Sequence, residues 1–574
     1  MKTFTKTALA SAVAVAVSQT AMAGTDTYFV PLTKPEIVEP ADSIDERNQP
    51  WAMPFGMTQT NLMSMEEVED DIMQSVVRVP TGNVASMFDM LDYDPTGRYI
   101  FIPHETVFGA GVSRYDTEED KTEILFMGDE SGAISDEGFN QNVDFGAFDP
   151  VRYTPNGSLI AGEEWSGTGR LVEICDAYMD APMNPRAGGG DLVEGNCLTN
   201  PNADWRVLDG IPLVAWEGNE FSLKRPQKVI YYVDEDRSGS IYKTVFTKRG
   251  DYNQGQSYVL KVDSFDGDVA ERWDMQADNV NNSRTGWAKW VAITDRKGNP
   301  LPGVQDPTEN LLDENGDIID AGQAGRNAAD DVGGTPYGRP EDMVISNLKR
   351  PRGRGKNEVI YFTATSENAV YSVEETPYGP YVRLFASAET TPTNEGFAST
   401  SAEFNAPDNL AIDALGNIYV IEDSPNTTTV GADGGDIWFA RDADNDGVAE
   451  SLDHFLSLQV NQSEATGMIF SPTDPAKFVV AVQHPASTGL QNDMGEFSGF
   501  GDAIWEFDLS NVIAPECTKK GDDDGYNDYY SWSKPKKNLS KVVTCDDSDA
   551  NYVKRLEKAG DKRKYTRRYF GSIR

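Results

Sequence analysis

The sequence predicts an all-β chain folded as a β-propeller of six blades, with inserted loops and a C-terminal extension. Two observations predict it. A pattern recurs along the chain: a turn with Gly, Asn or Asp, an alternating apolar strand, then, in most copies, an acidic residue. Long helical periodicity is scarce, so little of the chain is left for any other class.

The copies run in order as Asp94–Glu105, Thr154–Glu164, Pro226–Glu235, Asn357–Thr365, Asp413–Asp423 and Ser471–His484. They recur at intervals of about 60 residues, with one gap of about twice that, which suits a propeller better than a sandwich. Ser64–Val77 carries apolar residues among acidic ones and predicts one short amphipathic helix. Residues 298–335 are rich in Gly, Asp and Asn and predict a loop-like insertion.

The chain divides into four parts. Lys2 and Lys6, the apolar run Ala8–Val17 and the small residues Ala21-Met22-Ala23 predict a signal peptide over 1–23, placing the mature protein in the periplasm or outside the cell. An N-terminal segment, 24–84, packs on the propeller of 85–516. A C-terminal extension, 517–574, ends in a basic tail containing Lys562-Arg563-Lys564 and Arg567-Arg568. No later segment is apolar enough to span a bilayer.

Composition excludes some partners. With 93 acidic against 50 basic residues the formal charge is −43, which argues against nucleic-acid binding, because phosphate contacts need clustered Lys and Arg. The cysteines are Cys175, Cys197, Cys517 and Cys545. An even count in an exported chain favours disulfides. Three connectivities are open, and pairing of neighbours (Cys175–Cys197, Cys517–Cys545) is the expected one. Nothing in the sequence fixes an oligomer, and a monomer is expected.

Acidic motifs sit next to apolar strands: Gly162-Glu163-Glu164, Gly218-Asn219-Glu220, Arg339-Pro340-Glu341, Pro407-Asp408-Asn409 and Glu422-Asp423. Carboxylates delivered repeatedly to one kind of position suggest a central site for several cations, and an arginine beside one of them suggests an anionic substrate such as phosphate. With His104, His454 and His484 the only histidines, the donors must be carboxylates and amides, which favours hard cations. His484, at the end of a repeat strand, is a candidate substrate contact. Asp442, Asp444, Asp446 and Asp453 follow the spacing of a calcium loop, and Asp234 and Asp236 follow part of it. No serine-hydrolase elbow, phosphate-binding P-loop or dinucleotide fingerprint is present.

The ordered set of motifs from Thr154-Pro155 through Glu163-Glu164, Glu220, Arg339-Pro340-Glu341, Pro407-Asp408-Asn409, Glu422-Asp423, Thr466-Gly467 and Gln483-His484-Pro485 resembles the PhoX-type alkaline phosphatases. The resemblance implies a six-bladed propeller that holds iron and calcium and cleaves phosphomonoesters. Carried over, Glu220 and Glu341 are iron ligands, Asp408, Asn409, Asp423 and Glu163 or Glu164 are calcium or supporting groups, and Arg339 holds the phosphate. Two positions depart from the family pattern: Gly162 stands where the family has a cysteine ligand of iron, and Asn219 where it has histidine. Ca2+ is therefore the expected cofactor, with Fe3+ dependent on what replaces the thiolate. The expected activity is that of a secreted metal-dependent phosphomonoesterase acting on small phosphate esters. The alternatives are a calcium-dependent propeller hydrolase of a phosphodiester or lactone, and a non-catalytic calcium-binding propeller.

Overall fold

A computed structural model describes residues 28–32, 46–71, 87–129, 134–135, 138–139, 144–265, 283–309, 323–349, 356–390, 404–423, 435–442, 445–460, 463–490, 494 and 499–512. The expected signal peptide, Asp444, Cys517, Cys545 and the expected C-terminal extension lie outside them.

The described chain is all-β and propeller-like, with four-stranded antiparallel meanders as its unit. One four-stranded sheet runs from Asp92–Tyr93 through Tyr99–His104 and Gly111–Asp116 to Lys121–Met127. The next runs from Phe148–Tyr153 through Leu159–Glu163 and Leu171–Ile174 to Trp205–Val207. A nine-stranded sheet follows. It comprises Asn219–Phe221, Val229–Val233, Ile241–Phe246 and Gly255–Val262, then Gly286–Ala292, which pairs with Gly379–Ser387 of a second meander that ends on Met343–Lys349. Pro407–Ile412 to Ser451–Leu458 form a further meander, with Trp51–Ala52 added at its edge. In the last sheet, Glu464–Phe470, Lys477–Gln483 and Ala503–Asp508 are completed by Thr58–Ser64 from the other end of the chain.

Strand alternation explains why these segments form strands yet read as nearly continuous apolar runs. Successive side chains point to opposite faces, and here both faces are buried. In Tyr99–His104, Ile100 and Ile102 join a core cluster with Val479, Ala481 and Ile504 of the last sheet. Phe101 between them joins a different cluster with Val151, Leu159 and Val172. The same parity puts Ile160 against Trp216 and Tyr232, while Leu159 and Ala161 face Phe126 and Phe148.

Two α-helices occur among the described residues. Met65–Asp71 occupies part of the segment expected to be helical. Ala324–Asp331 lies in the stretch expected to be loop, and this corrects that reading. Ala328 and Ala329 pack there against the Ile211 and Val214 cluster, so tertiary burial overrides a run rich in turn-forming residues.

Cys175 and Cys197 form a disulfide across 22 residues. Closing a loop of that size is worth about 3 kcal/mol. The double variant C175S/C197S is expected to fold but melt several degrees lower, as calorimetry under non-reducing conditions would show.

Candidate metal centre

The ends of the strands converge on a cluster of carboxylates. Three groups have oxygens within 4.8 Å of one another: Asp89, Glu105 and Asp149; Glu217, Glu341 and Asp408; and Asp408, Asp423 and Glu464. The last two share Asp408, so the groups run into one another.

Strand parity decides which acids reach this site. At the end of a repeat strand two polar residues are adjacent, and their side chains diverge. His104 is buried in the wall with its Nε2 against Ser113 Oγ, and Glu105 faces the cluster. Glu163 is held by Arg170, Nε to Oε2 at 2.7 Å and Nη2 to Oε1 at 2.9 Å, and Oε1 also accepts the Gly146 N–H. Glu164 turns the other way, toward Arg339 and Glu105. Asp234 accepts the Ala215 N–H in the wall, whereas Glu235 pairs with Arg339. Glu422 accepts Asn405 N–H and Trp438 Nε1–H, whereas Asp423 faces the cluster. In each of these pairs the first residue serves the wall and the second the centre.

A second device brings in the carboxylates of the innermost strands. Ala147, Arg339 and Ala406 have φ of 48°, 55° and 39°, left-handed values that are uncommon outside glycine. Each stands two residues before a clustered acid: Asp149, Glu341 and Asp408. The left-handed residue turns the chain into its strand so that the acid points inward. His484, also left-handed at φ 38°, places Nε2 3.1 Å from Glu464 Oε2.

Arg339 is set among these acids. Its Nε pairs with Glu235 and lies 3.0 Å from Glu341 Oε1, Nη1 is 3.1 Å from Asp423 Oδ2, and Nη2 is 3.9 Å from Glu164 Oε1. Facing Glu341 above all, its guanidinium is held well above its ordinary pKa. The carboxyls themselves move up. Burial pushes Asp89 to about 6, Glu341 to about 7 and Glu105 to about 8, and repulsion from neighbouring carboxylates adds to it. Asp149, Glu164, Glu217, Asp408 and Glu464 rise for the same reasons, burial first. Like charges gathered out of water favour protonation unless cations compensate them.

The donor set fits hard cations. Asp149 Oδ1 and Glu217 Oε2 are buried and, among the described residues, accept no hydrogen bond, as expected of oxygens free to ligate a cation. All three groups are carboxylate oxygen throughout. A thiolate ligand at 162 does not fit. A Cβ on Gly162 would lie 2.5 Å from Trp216 Cβ and 3.2 Å from Pro150 Cγ, inside the packing between sheets. G162C is therefore expected to cost about 1–3 kcal/mol by overpacking without raising iron content, measurable by melting and elemental analysis.

Other sequence candidates are placed elsewhere. Glu220 lies outside the three groups, with Oε1 3.9 Å from Arg152 Nη1. Asn409 bridges the centre: its Nδ2 donates to Asp408 Oδ1 at 3.0 Å and its Oδ1 accepts the Gly467 N–H at 2.6 Å. Asp236 pairs with Arg326 at 2.8 Å. Asp442 accepts the N–H groups of Asp446 and Gly447, while Asp453 is fully buried within strand Ser451–Leu458.

Sequence reasoning missed Asp89, Glu105, Asp149, Glu217, Glu235 and Glu464. For Glu105 and Glu235 a signal existed, since each closes a copy of the repeat.

A propeller-like β chain whose strand ends gather buried carboxylates around one arginine is the class of protein these features define. Residues 213–486 match the family model of alkaline phosphatase PhoX. That match supports the chain's membership of the PhoX family. No curated protein matches it. Solved structures similar to it include a luciferin-regenerating enzyme, at 9% identity over 74% of this chain and 91% of the other, with a TM-score of 0.29. Another is the Cps50 (Swd1) β-propeller domain of Myceliophteria thermophila, at 10% identity over 72% and 98%, with a TM-score of 0.31. At these scores neither bears on what the chain does.

Proposed function

We propose that this protein is a metal-dependent phosphomonoesterase, exported from the cytoplasm, which releases phosphate from small organic esters. The observation that carries the reading is Arg339 set among clustered carboxylates in a chain whose residues 213–486 match the PhoX family model. Counting the nine-stranded sheet as two meanders gives six blades, and the six core clusters between meanders support that number.

Asp89, Glu105 and Asp149, with Glu217, Glu341, Asp408, Asp423 and Glu464, would hold the cations. Their all-oxygen chemistry suits Ca2+. When bound, such ions neutralise charge on the phosphoryl oxygens and acidify water. Arg339 presents a planar fork that binds a phosphate through two parallel hydrogen bonds. Glu235 and Asp423 fix the orientation of that fork. His484, whose Nε2 lies 3.1 Å from Glu464 Oε2, is the candidate substrate contact. Among the described residues no helix is long and apolar enough to cross a membrane.

The test is elemental analysis of the purified protein together with p-nitrophenyl phosphate turnover, with and without chelator. Stoichiometric calcium and chelator-sensitive turnover are expected, and E341A is expected to lose both metal and at least 100-fold in turnover. Full turnover in E341A would overturn the assignment, and stoichiometric iron would overturn the choice of cation.

A further inference from the structure

Away from the carboxylate cluster a cavity of about 300 Å3 opens between the two meanders of the nine-stranded sheet. Glu358 on its wall is five residues along strand Lys356–Ala364 from Thr363, which touches the Asp408 carbonyl beside the cluster. At ~3.3 Å per residue that is roughly 17 Å.

The cavity concentrates positive charge in a strongly acidic chain. Lys224, Arg225 and Lys243 line it, against Glu358 and Glu375. Both carboxylates are committed to the wall. Glu358 accepts Ser222 Oγ–H on both oxygens, Tyr231 O–H on Oε1 and the Lys224 N–H on Oε2, all at 3.0 Å. Glu375 Oε1 accepts Lys243 Nζ at 3.0 Å and Trp290 Nε1 at 2.6 Å. Lys243 is buried, its ammonium 5.1 Å from the Tyr231 ring centroid and 4.9 Å from that of Trp290. It has two further N–H donors to offer, since an ammonium carries three. Lys224 and Arg225 are exposed at the mouth, and neither side chain forms an ion pair with a described residue. Burial above all, with Arg225 adding like-charge repulsion, holds the Lys243 ammonium below its usual pKa, a tension that a bound anion would relieve.

We propose that this cavity is a second, non-catalytic oxyanion site, binding a phosphate group that is either free or attached to a small alcohol. Lys243 supplies a point charge at its floor, Arg225 a fork and Lys224 a second charge at its mouth. Its volume, at the lower end of small-molecule sites, suits a ligand of that size. Charge and donors come from this chain alone, and the site stands whether or not the central carboxylates catalyse.

Isothermal titration of inorganic phosphate into the cation-loaded full chain tests it, with K224E/R225E and K243M beside the parent. Lys224 and Arg225 are exposed, so the charge-reversed chain is expected to fold. It should bind one equivalent of phosphate fewer than the parent, with unchanged p-nitrophenyl phosphate turnover. K243M should weaken the same equivalent at least tenfold. Equal stoichiometry and affinity in parent and K224E/R225E would overturn the site. Propylphosphonate, which phosphatases cannot hydrolyse at its P–C bond, separates the sources: tighter binding than phosphate at this equivalent assigns an ester, equal or weaker binding assigns the free ion.

Discussion

Protein stripped of divalent cations is expected to lose stability as pH rises from about 5 to 9, and added calcium is expected to restore more at pH 9 than at pH 5. Burial and mutual repulsion raise Asp89 to about 6, Glu341 to about 7 and Glu105 to about 8 in the fold, whereas in the unfolded chain such groups ionise near 4. Between those limits the folded state holds protons that the unfolded state has released, so stability falls with rising pH across that window and levels off above about 8. Each tenfold change in proton affinity is worth about 1.4 kcal/mol, so these three groups together set a ceiling on the loss on the order of 10 kcal/mol. Melting curves at several pH values, with chelator and with excess calcium, measure it. The variant E105Q removes one of the raised groups and should flatten the chelated profile. An unchanged slope in E105Q would show that the dependence comes from elsewhere in this acidic chain.

Replacing Arg339 should separate charge from geometry. R339M leaves Glu235, Glu341, Asp423 and Glu164 without their guanidinium partner. Breaking a buried ion pair on one side costs about 3–5 kcal/mol, and Arg339 is partly exposed, so chelated R339M should lose somewhat less than that and melt several degrees below the parent. Calcium should restore much of that loss, because bound cations compensate the same carboxylates. Turnover of p-nitrophenyl phosphate should nevertheless stay down by roughly 100-fold or more, since no fork remains to hold the phosphoryl oxygens. R339K keeps the charge and should melt near the parent, yet lose about tenfold or more in kcat/KM because an ammonium cannot make the paired contact. Parent-like kinetics in R339M would remove Arg339 from the phosphate site.

Part of this centre is legible in the sequence, and the reason lies in strand parity. A turn, an alternating strand and a closing acid repeat at intervals, and the closing residues Glu105, Glu164, Glu235, Asp423 and His484 are those that face the centre. Reading Glu163 against Glu164 required knowing which face of the strand meets the neighbouring sheet, and the letters alone do not carry that. The innermost strands were harder. Asp89 precedes its strand by three residues, Asp149 lies within one, and Glu217 stands two residues before another. No fixed spacing links them, because the chain enters its innermost strands by different paths, left-handed at Ala147, Arg339 and Ala406 but not, among the described residues, just before the strands that begin at Asp92 and Asn219. The helix at Ala324–Asp331 was hidden for another reason: its stability comes from the Ile211 and Val214 surface it covers, not from its own composition.

The pairing of Thr58–Ser64 with Ala503–Asp508 joins residues some 450 positions apart. During synthesis the early strand must wait, with an open edge, until nearly all of the propeller has been made. Closing so long a loop is slow and comes late in folding. The carboxylate centre draws on the first sheet through Glu105 and on the last through Glu464, so it does not exist in any partial chain. Cation loading is thereby deferred to the finished ring, and a chain cut between those two strands would be expected neither to close nor to retain its ions.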